Sequence, residues 1–275
     1  MSKIGSKSWE GSSEEQEWRA KYLTQLGMLK IRRKFMEEKF SLLDFSSVES
    51  VLEIGCGLGI DGVLIAKYLK SGSRYLGVDI DPSLVEQANT MFKKANLDSI
   101  ARAETADATT MPLTPNSEDI VMINRVLEHL SDPFLVVQRV FKVLKPGGHF
   151  LCIEPDWGTA SFNHPDMELC VRMNNIPALY TLNWGTAGAK LREWFVKAGF
   201  SVEHMDSRSE IFLDFNLADM ALGLHRTAEF AVKLGKATQE EATKWIDGLK
   251  QMSKEEYFFG TVTAIVFIGQ KPLKT

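Results

Sequence analysis

The sequence predicts an α/β chain built on a mainly parallel sheet with helices on both faces, and three observations carry that prediction. Short apolar runs alternate with segments of helical periodicity from about residue 50 to residue 200. The first of these runs ends in a glycine turn that leads into a helix. Two of the runs end in carboxylates, at the edge where an open parallel sheet binds its ligands.

Residues 1–13 are rich in Ser, Gly and Lys and are expected to be frayed. Trp18, Tyr22, Leu26, Leu29, Phe35 and Phe40 then recur at helical spacing and predict one or two amphipathic helices over residues 14–43. Residues 1–45 are accordingly expected to form a helical lid. Residues 50–54 read as a strand, followed by the glycine turn and a helix over residues 60–69. Further strands are predicted at 75–78, 100–104, 119–124 and 149–154. Helices are predicted at 82–95, at 128–130 running into 133–144, and at 187–198. Strands joined through helices pair in parallel, by right-handed crossovers.

After residue 154 the alternation loosens. Residues 155–184 read as loop and helix, 200–212 as containing a strand, 217–249 as helix and 257–268 as a final strand rich in Thr, Val, Ile and Phe. The expected organisation is therefore one main domain over residues 46–275, with helical insertions at about 156–184 and 214–254.

Composition narrows the function classes. Hydrophobic residues at 44% and charged residues at 25% exclude a disordered or collagenous chain, and no apolar run reaches the length of a membrane-spanning helix. A formal charge of −4 has the wrong sign for neutralising phosphates, so no nucleic-acid partner is expected. Cys56, Cys152 and Cys170 form neither an even disulfide set nor a metal-ligand spacing. With a polar N-terminus lacking a signal-peptide core, they point to reduced thiols in the cytoplasm and to no metal.

The glycine turn, Gly55-Cys56-Gly57-Leu58-Gly59, is the most informative stretch. Alternate glycines after a buried strand let a ligand approach the backbone and free N–H groups at a helix start. The dinucleotide fingerprint needs a sixth-position glycine, where this chain has Ile60. Glu53, two residues before the turn, would repel a pyrophosphate and welcome a positive group. Asp79 ends the second strand beside the same crevice, where a carboxylate can accept both hydroxyls of a ribose. Either acid alone reads equally well as a solvated strand end. Asp107-Ala108 follows the third strand as an adenine-edge contact, and Asn124 closes the fourth. Both Asp107 and Asn124 are also suited to capping a turn.

Residues 51–59, 77–81, 107–112, 119–129 and 144–155 together resemble the class I S-adenosylmethionine-dependent methyltransferases, and within them the ubiquinone/menaquinone-biosynthesis type (methyltransferase type 11). The resemblance is specific over residues 48–155 and loose around Trp245 and residues 258–271. It implies a seven-stranded Rossmann-like sheet with its last strand antiparallel, S-adenosyl-L-methionine as cofactor and S-adenosyl-L-homocysteine as product. By the same resemblance Gly55, Cys56 and Gly57 pack on the methionine part, and Glu53 lies near its amino end. Asp79 holds the ribose and Ile80 the adenine face, while Asp107 and Ala108 meet the adenine edge. Asn124 offers its backbone oxygen to the ammonium, and Arg32 or Arg33 meets the carboxylate.

Methyl transfer from a sulfonium requires mainly that an acceptor be held close, aligned and dry. Where a base is needed, His129 and Glu128 follow the fourth strand, and Glu154, Asp156 and His164 follow the fifth. His129 is the catalytic candidate, with a plain packing role as its alternative. The fourth strand lacks the Asn/Asp-Pro-Pro-aromatic run of nucleobase amino-methylases, so a small molecule is the expected partner. Trp157, Tyr180, Trp184 and Phe230 are among the large apolar residues of the insertions, which with the Trp18/Tyr22 helix are expected to roof an apolar or aromatic acceptor. A nicotinamide dehydrogenase is a competing class, disfavoured by Ile60 and Glu53. A protein that keeps the cofactor site without transferring methyl is another.

Overall fold

The computed structural model describes residues 13–28 and 30–273. The expected fraying of residues 1–13 lies outside the described residues except at Ser13, as does the side chain of Trp18. Two helices, α1 (Ser13–Met28) and α2 (Lys30–Phe40), precede the first strand. Then follow β1 (Ser50–Ile54), α3 (Ile60–Ile65), β2 (Arg74–Asp79), α4 (Pro82–Lys94), β3 (Ala101–Thr105), β4 (Glu118–Asn124) and α5 (Pro133–Val143). The second half runs β5 (Leu144–Phe162), α6 (Met167–Asn174), α7 (Ala187–Ala198), β6 (Ser201–Phe212), α8 (Phe215–Leu222), α9 (Leu224–Lys233), α10 (Gln239–Lys254) and β7 (Gly260–Gln270).

The seven strands form one sheet in the order β3-β2-β1-β4-β5-β7-β6. Pairing is parallel from β3 through β5, and β7 runs antiparallel to both β5 and β6. This is the Rossmann-like sheet with a reversed last strand. Chain order turns back between β1 and β4, so a crevice opens beyond their C-terminal ends.

β1 is buried along its whole length because helices cover both faces of the sheet. On one face Met36, Phe40, Ile65, Tyr75 and Phe92 pack together. On the other, Val136, Val140, Phe150, Leu191 and Phe195 do so. Helix starts follow local chemistry. The Asp81 side chain accepts the Ser83 N–H ahead of Pro82, Asp132 caps α5 in the same way, and Thr238 with Glu241 closes a capping box on α10.

Three sequence expectations need correction. Residues 155–162 extend β5 instead of starting an insertion, because Pro155, Asp156, Ser161 and Phe162 still pair with β7. Residues 217–249 are not one helix. Gly223, in the left-handed region, ends α8, and a turn over residues 234–238 separates α9 from α10. The final strand starts at Gly260, three residues later than expected. α6, α8, α9 and α10 share a separate core built on Cys170, Met173, Phe212, Trp245 and Leu249.

Candidate functional site

Beyond the ends of β1 and β4 lies a cavity of about 520 Å³, a size suited to a cofactor-sized ligand. Of the residues expected at the cofactor, all but Arg33 border it: Glu53, Gly55, Cys56 and Gly57; Asp79 and Ile80; Asp107, Ala108, Asn124 and Arg32. His129 borders it as well. Arg33 does not, and pairs with Glu37 on the exposed side of α2.

The three glycines of the turn are left-handed for different reasons. A Cβ on Gly55 would sit 2.2 Å from Val126 Cγ2, and one on Gly59 would strike Phe92, so those positions are fixed by packing. At buried Gly57 a Cβ would meet Leu23 Cδ1 of α1 at 3.2 Å, so this glycine lies at the cavity wall beneath α1. The Gly57 N–H donates to Asp79 Oδ2 at 2.9 Å, and Asp79 Oδ1 accepts the Asp81 N–H at 3.0 Å. Each oxygen keeps further acceptor capacity. Ile80, beside this carboxylate, is 49% exposed, an apolar face presented to the cavity.

The acids here are deeply held. Glu53 is 2% exposed and accepts a hydrogen bond from the Tyr75 phenol, yet burial, and then the nearby charge of Asp61, push its pKa well up. Burial also raises the pKa of Asp79. Both would therefore gain from a cationic ligand. Carboxylates suited to a ribose and an ammonium, a left-handed glycine at the cavity wall and an apolar plate together fit an adenosyl cofactor bearing a positive charge. Asp107 Oδ1 accepts from Thr109 N and Oγ1 at 2.8 and 2.7 Å, so one oxygen caps the turn after β3 and the other is left for a ligand.

Sequence reading named Arg32 but missed Arg19, Arg125 and the partners of all three. Arg32 forms a bidentate pair with Asp61 at 2.9 and 2.8 Å, and Asn124 donates to the same carboxylate at 2.9 Å. Arg19 of α1 pairs with Asp81 at 2.7 Å. Arg125, at φ 61°, donates to the Tyr22 phenol at 2.8 Å. Tyr22 in turn donates to Ala221 O on α8 at 3.0 Å, joining α1 to the insertion.

The expected base candidates separate. Glu128 borders the cavity, accepts the Trp157 indole N–H at 2.7 Å and lies 3.5 Å from His129 Nε2. Burial lowers the pKa of His129, leaving the ring neutral near pH 7. Glu154 is absent from the cavity wall: at 0% exposure its oxygens accept the N–H groups of Val126, Leu127 and Glu128. Asp156 caps Gly158, and the His164 ring lies between the backbone oxygens of Asp166 and Trp245. Of the insertion residues expected to form a roof, Trp157 and Phe230 reach the cavity. Tyr180 packs against the insertion core and Trp184 stacks edge-on against Trp194.

A family model described as a methyltransferase domain matches residues 45–204. The chain is 32% identical over 249 residues to an uncharacterized 37.1 kDa protein in transposon TN4556 of Streptomyces fradiae, covering 90% of this chain and 70% of that one. It is 26% identical over 125 residues to the demethylmenaquinone methyltransferase of Listeria welshimeri, covering 46% of this chain and 52% of that one, so the match spans about half of that relative. Its fold is similar to that of the YcgJ protein from Bacillus subtilis, with a TM-score of 0.60 at 17% identity, over 86% of this chain and 97% of that one.

Proposed function

The chain belongs to the class I S-adenosylmethionine-dependent methyltransferases, and from that premise we propose that it transfers the cofactor methyl to a small, largely apolar molecule held under α1 and the helical insertions. One observation carries the reading. Two buried carboxylates, Glu53 and Asp79, flank a left-handed glycine, Gly57, that borders the cavity and donates its N–H to the second of them.

The bound cofactor would supply an electrophilic methyl on a positively charged sulfur. Asp79 would accept the ribose hydroxyls, Ile80 and Ala108 would border the adenine, and Asp107 would accept from its amino group. Glu53 would face the ammonium, together with the backbone oxygen of Asn124. Tyr22, Leu182, Leu222 and Phe230 close the far side with apolar surface, which favours an apolar or aromatic acceptor and excludes water. His129, neutral through burial and set beside Glu128, would take a proton from an acceptor hydroxyl or ammonium.

Titration calorimetry with S-adenosylhomocysteine tests the cofactor half. Asp79→Ala is expected to weaken binding by about 10- to 100-fold, the loss of hydrogen bonds to a charged group. Unchanged affinity would remove Asp79 from the ribose. Labelled methyl transfer into a metabolite extract tests the reaction, and cofactor binding without any labelled product would favour a protein that only holds the cofactor. For His129, the depressed pKa places the acidic limb of the kcat profile below pH about 6.5. His129→Ala is expected to erase that limb and leave S-adenosylhomocysteine affinity unchanged. A limb that survives the substitution assigns the histidine to packing.

A further inference from the structure

Arg125 differs from Arg19 and Arg32, two other cations of the cavity wall. Arg19 and Arg32 each have a carboxylate at 2.7–2.9 Å. Arg125 is part of no ion pair within 4.0 Å among the described residues: the charges of Glu128 and Glu154 act on it from farther off, and its hydrogen bond there goes to the Tyr22 phenol, with that ring 5.8 Å from the guanidinium carbon. Its backbone is held in the left-handed region, which disfavours a long side chain, by the bond from Arg125 N to Ile153 O at 2.8 Å. The turn that follows is clamped by Glu154.

Guanidinium has five fixed donors, and the Tyr22 oxygen takes one of them. A planar, half-buried cation left with donors to fill is the arrangement that recognises a carboxylate or another planar anion in bidentate fashion. Its contacts point to which ligand it would meet. Arg125 follows β4 and reaches Tyr22, which touches Ala221; Leu222 and Gly223 next to it border the same cavity. Through Tyr22 and α8 it faces the insertion side, while its charge also acts on Arg32.

We propose that Arg125 forms an anion subsite for the methyl acceptor, which makes the substrate class an apolar or aromatic molecule carrying a carboxylate. This rests on the methyltransferase reading, since it takes the far half of the cavity as the acceptor's. Trp157, Leu182 and Phe230 would pack the apolar body, and Arg125 would fix one end so that the nucleophilic atom points toward the cofactor half.

The test is calorimetry with the whole protein saturated with S-adenosylhomocysteine. Benzoate, cinnamate and decanoate serve as probes, each beside its uncharged methyl ester. At least one acid is expected to bind about 10- to 100-fold tighter than its ester, with the preference shrinking as salt is raised. Arg125→Gln is expected to level acid and ester while leaving S-adenosylhomocysteine affinity within about twofold. Arg125→Lys, which keeps the charge and loses the fork, is expected to hold part of the preference. Acids that bind no better than their esters, or do not bind at all, overturn the subsite even if the glutamine variant fails to fold. Loss of S-adenosylhomocysteine binding in folded Arg125→Gln overturns it differently, by giving Arg125 to the cofactor's own carboxylate. Failure of the wild-type protein to bind S-adenosylhomocysteine would instead remove the methyltransferase reading itself.

Discussion

Glu154→Ala is expected to cost about 3–5 kcal/mol of stability and to abolish methyl transfer. One carboxylate with no exposed surface accepts three consecutive backbone N–H groups, from Val126, Leu127 and Glu128. Removing it leaves those donors in a cavity that water enters poorly, and each unmet buried donor costs about 1–3 kcal/mol. The same turn carries Arg125, Glu128 and His129, so its loosening would reach the acceptor half directly. Denaturant midpoints measure the effect, and a loss below about 1 kcal/mol would show that the turn holds itself.

The pH dependence of this residue has a definite sign. Burial, and then the charge of Glu128, raise the Glu154 pKa from 4.5 to about 8. A carboxyl whose folded pKa lies above its unfolded value carries no penalty below pH 4.5, and the cost of ionising it grows as pH climbs toward 8. Stability of the wild-type protein is therefore expected to fall across that window. Glu154→Gln keeps the volume and one oxygen acceptor while removing the ionisation, so its stability should fall less steeply over the same range. Parallel slopes would mean that another group titrates there.

The legible and illegible parts of this molecule divide along a physical line. β1, the glycine turn and Asp79 were readable because backbone geometry constrains residue type: a buried strand wants an unbroken apolar run, and a left-handed turn wants glycine. Asp61, Arg19 and Arg125 were not readable. An acid in the first turn of a helix, a cation on a helix such as Arg19 and a cation in a turn such as Arg125 are what solvated positions look like in sequence, since helix dipoles favour acids there in any case. Only the meeting of α2 with α3, and of α1 with the end of β2, turns those charges inward. Residues 155–162 were misread for a related reason: Pro155 and Gly158 interrupt the strand pattern, and the pairing of this stretch with β7 depends on a segment about a hundred residues away. Glu154 illustrates both sides. Its position at a strand end marked it as important, while its actual task, holding backbone, has no sequence signature.

Asp61→Ala is the second variant with a large expected effect, about 3–5 kcal/mol, because it removes one partner of a buried ion pair and strands the other. Asp61 is 4% exposed and receives two nitrogens of Arg32 and the amide of Asn124. Burial lowers the tendency of Arg32 to carry its charge, and Asp61 more than restores it, so without Asp61 the guanidinium faces its desolvation uncompensated. If stranding is the cause, Arg32→Met in the Asp61→Ala background should recover most of the loss, because two apolar groups need no partner. A double variant as unstable as the single one would instead make Asp61 a packing element of α3. Cofactor affinity separates a further consequence. Asp61 raises the Glu53 pKa second only to burial itself, so its removal favours the ionised form of Glu53 facing the proposed ammonium. Asp61→Ala protein that remains folded should therefore lose less S-adenosylhomocysteine affinity than Asp79→Ala, since one substitution strengthens a charge at the site while the other deletes a direct contact. The reverse order would mean that Arg32, oriented by Asp61, is the stronger anchor of the two.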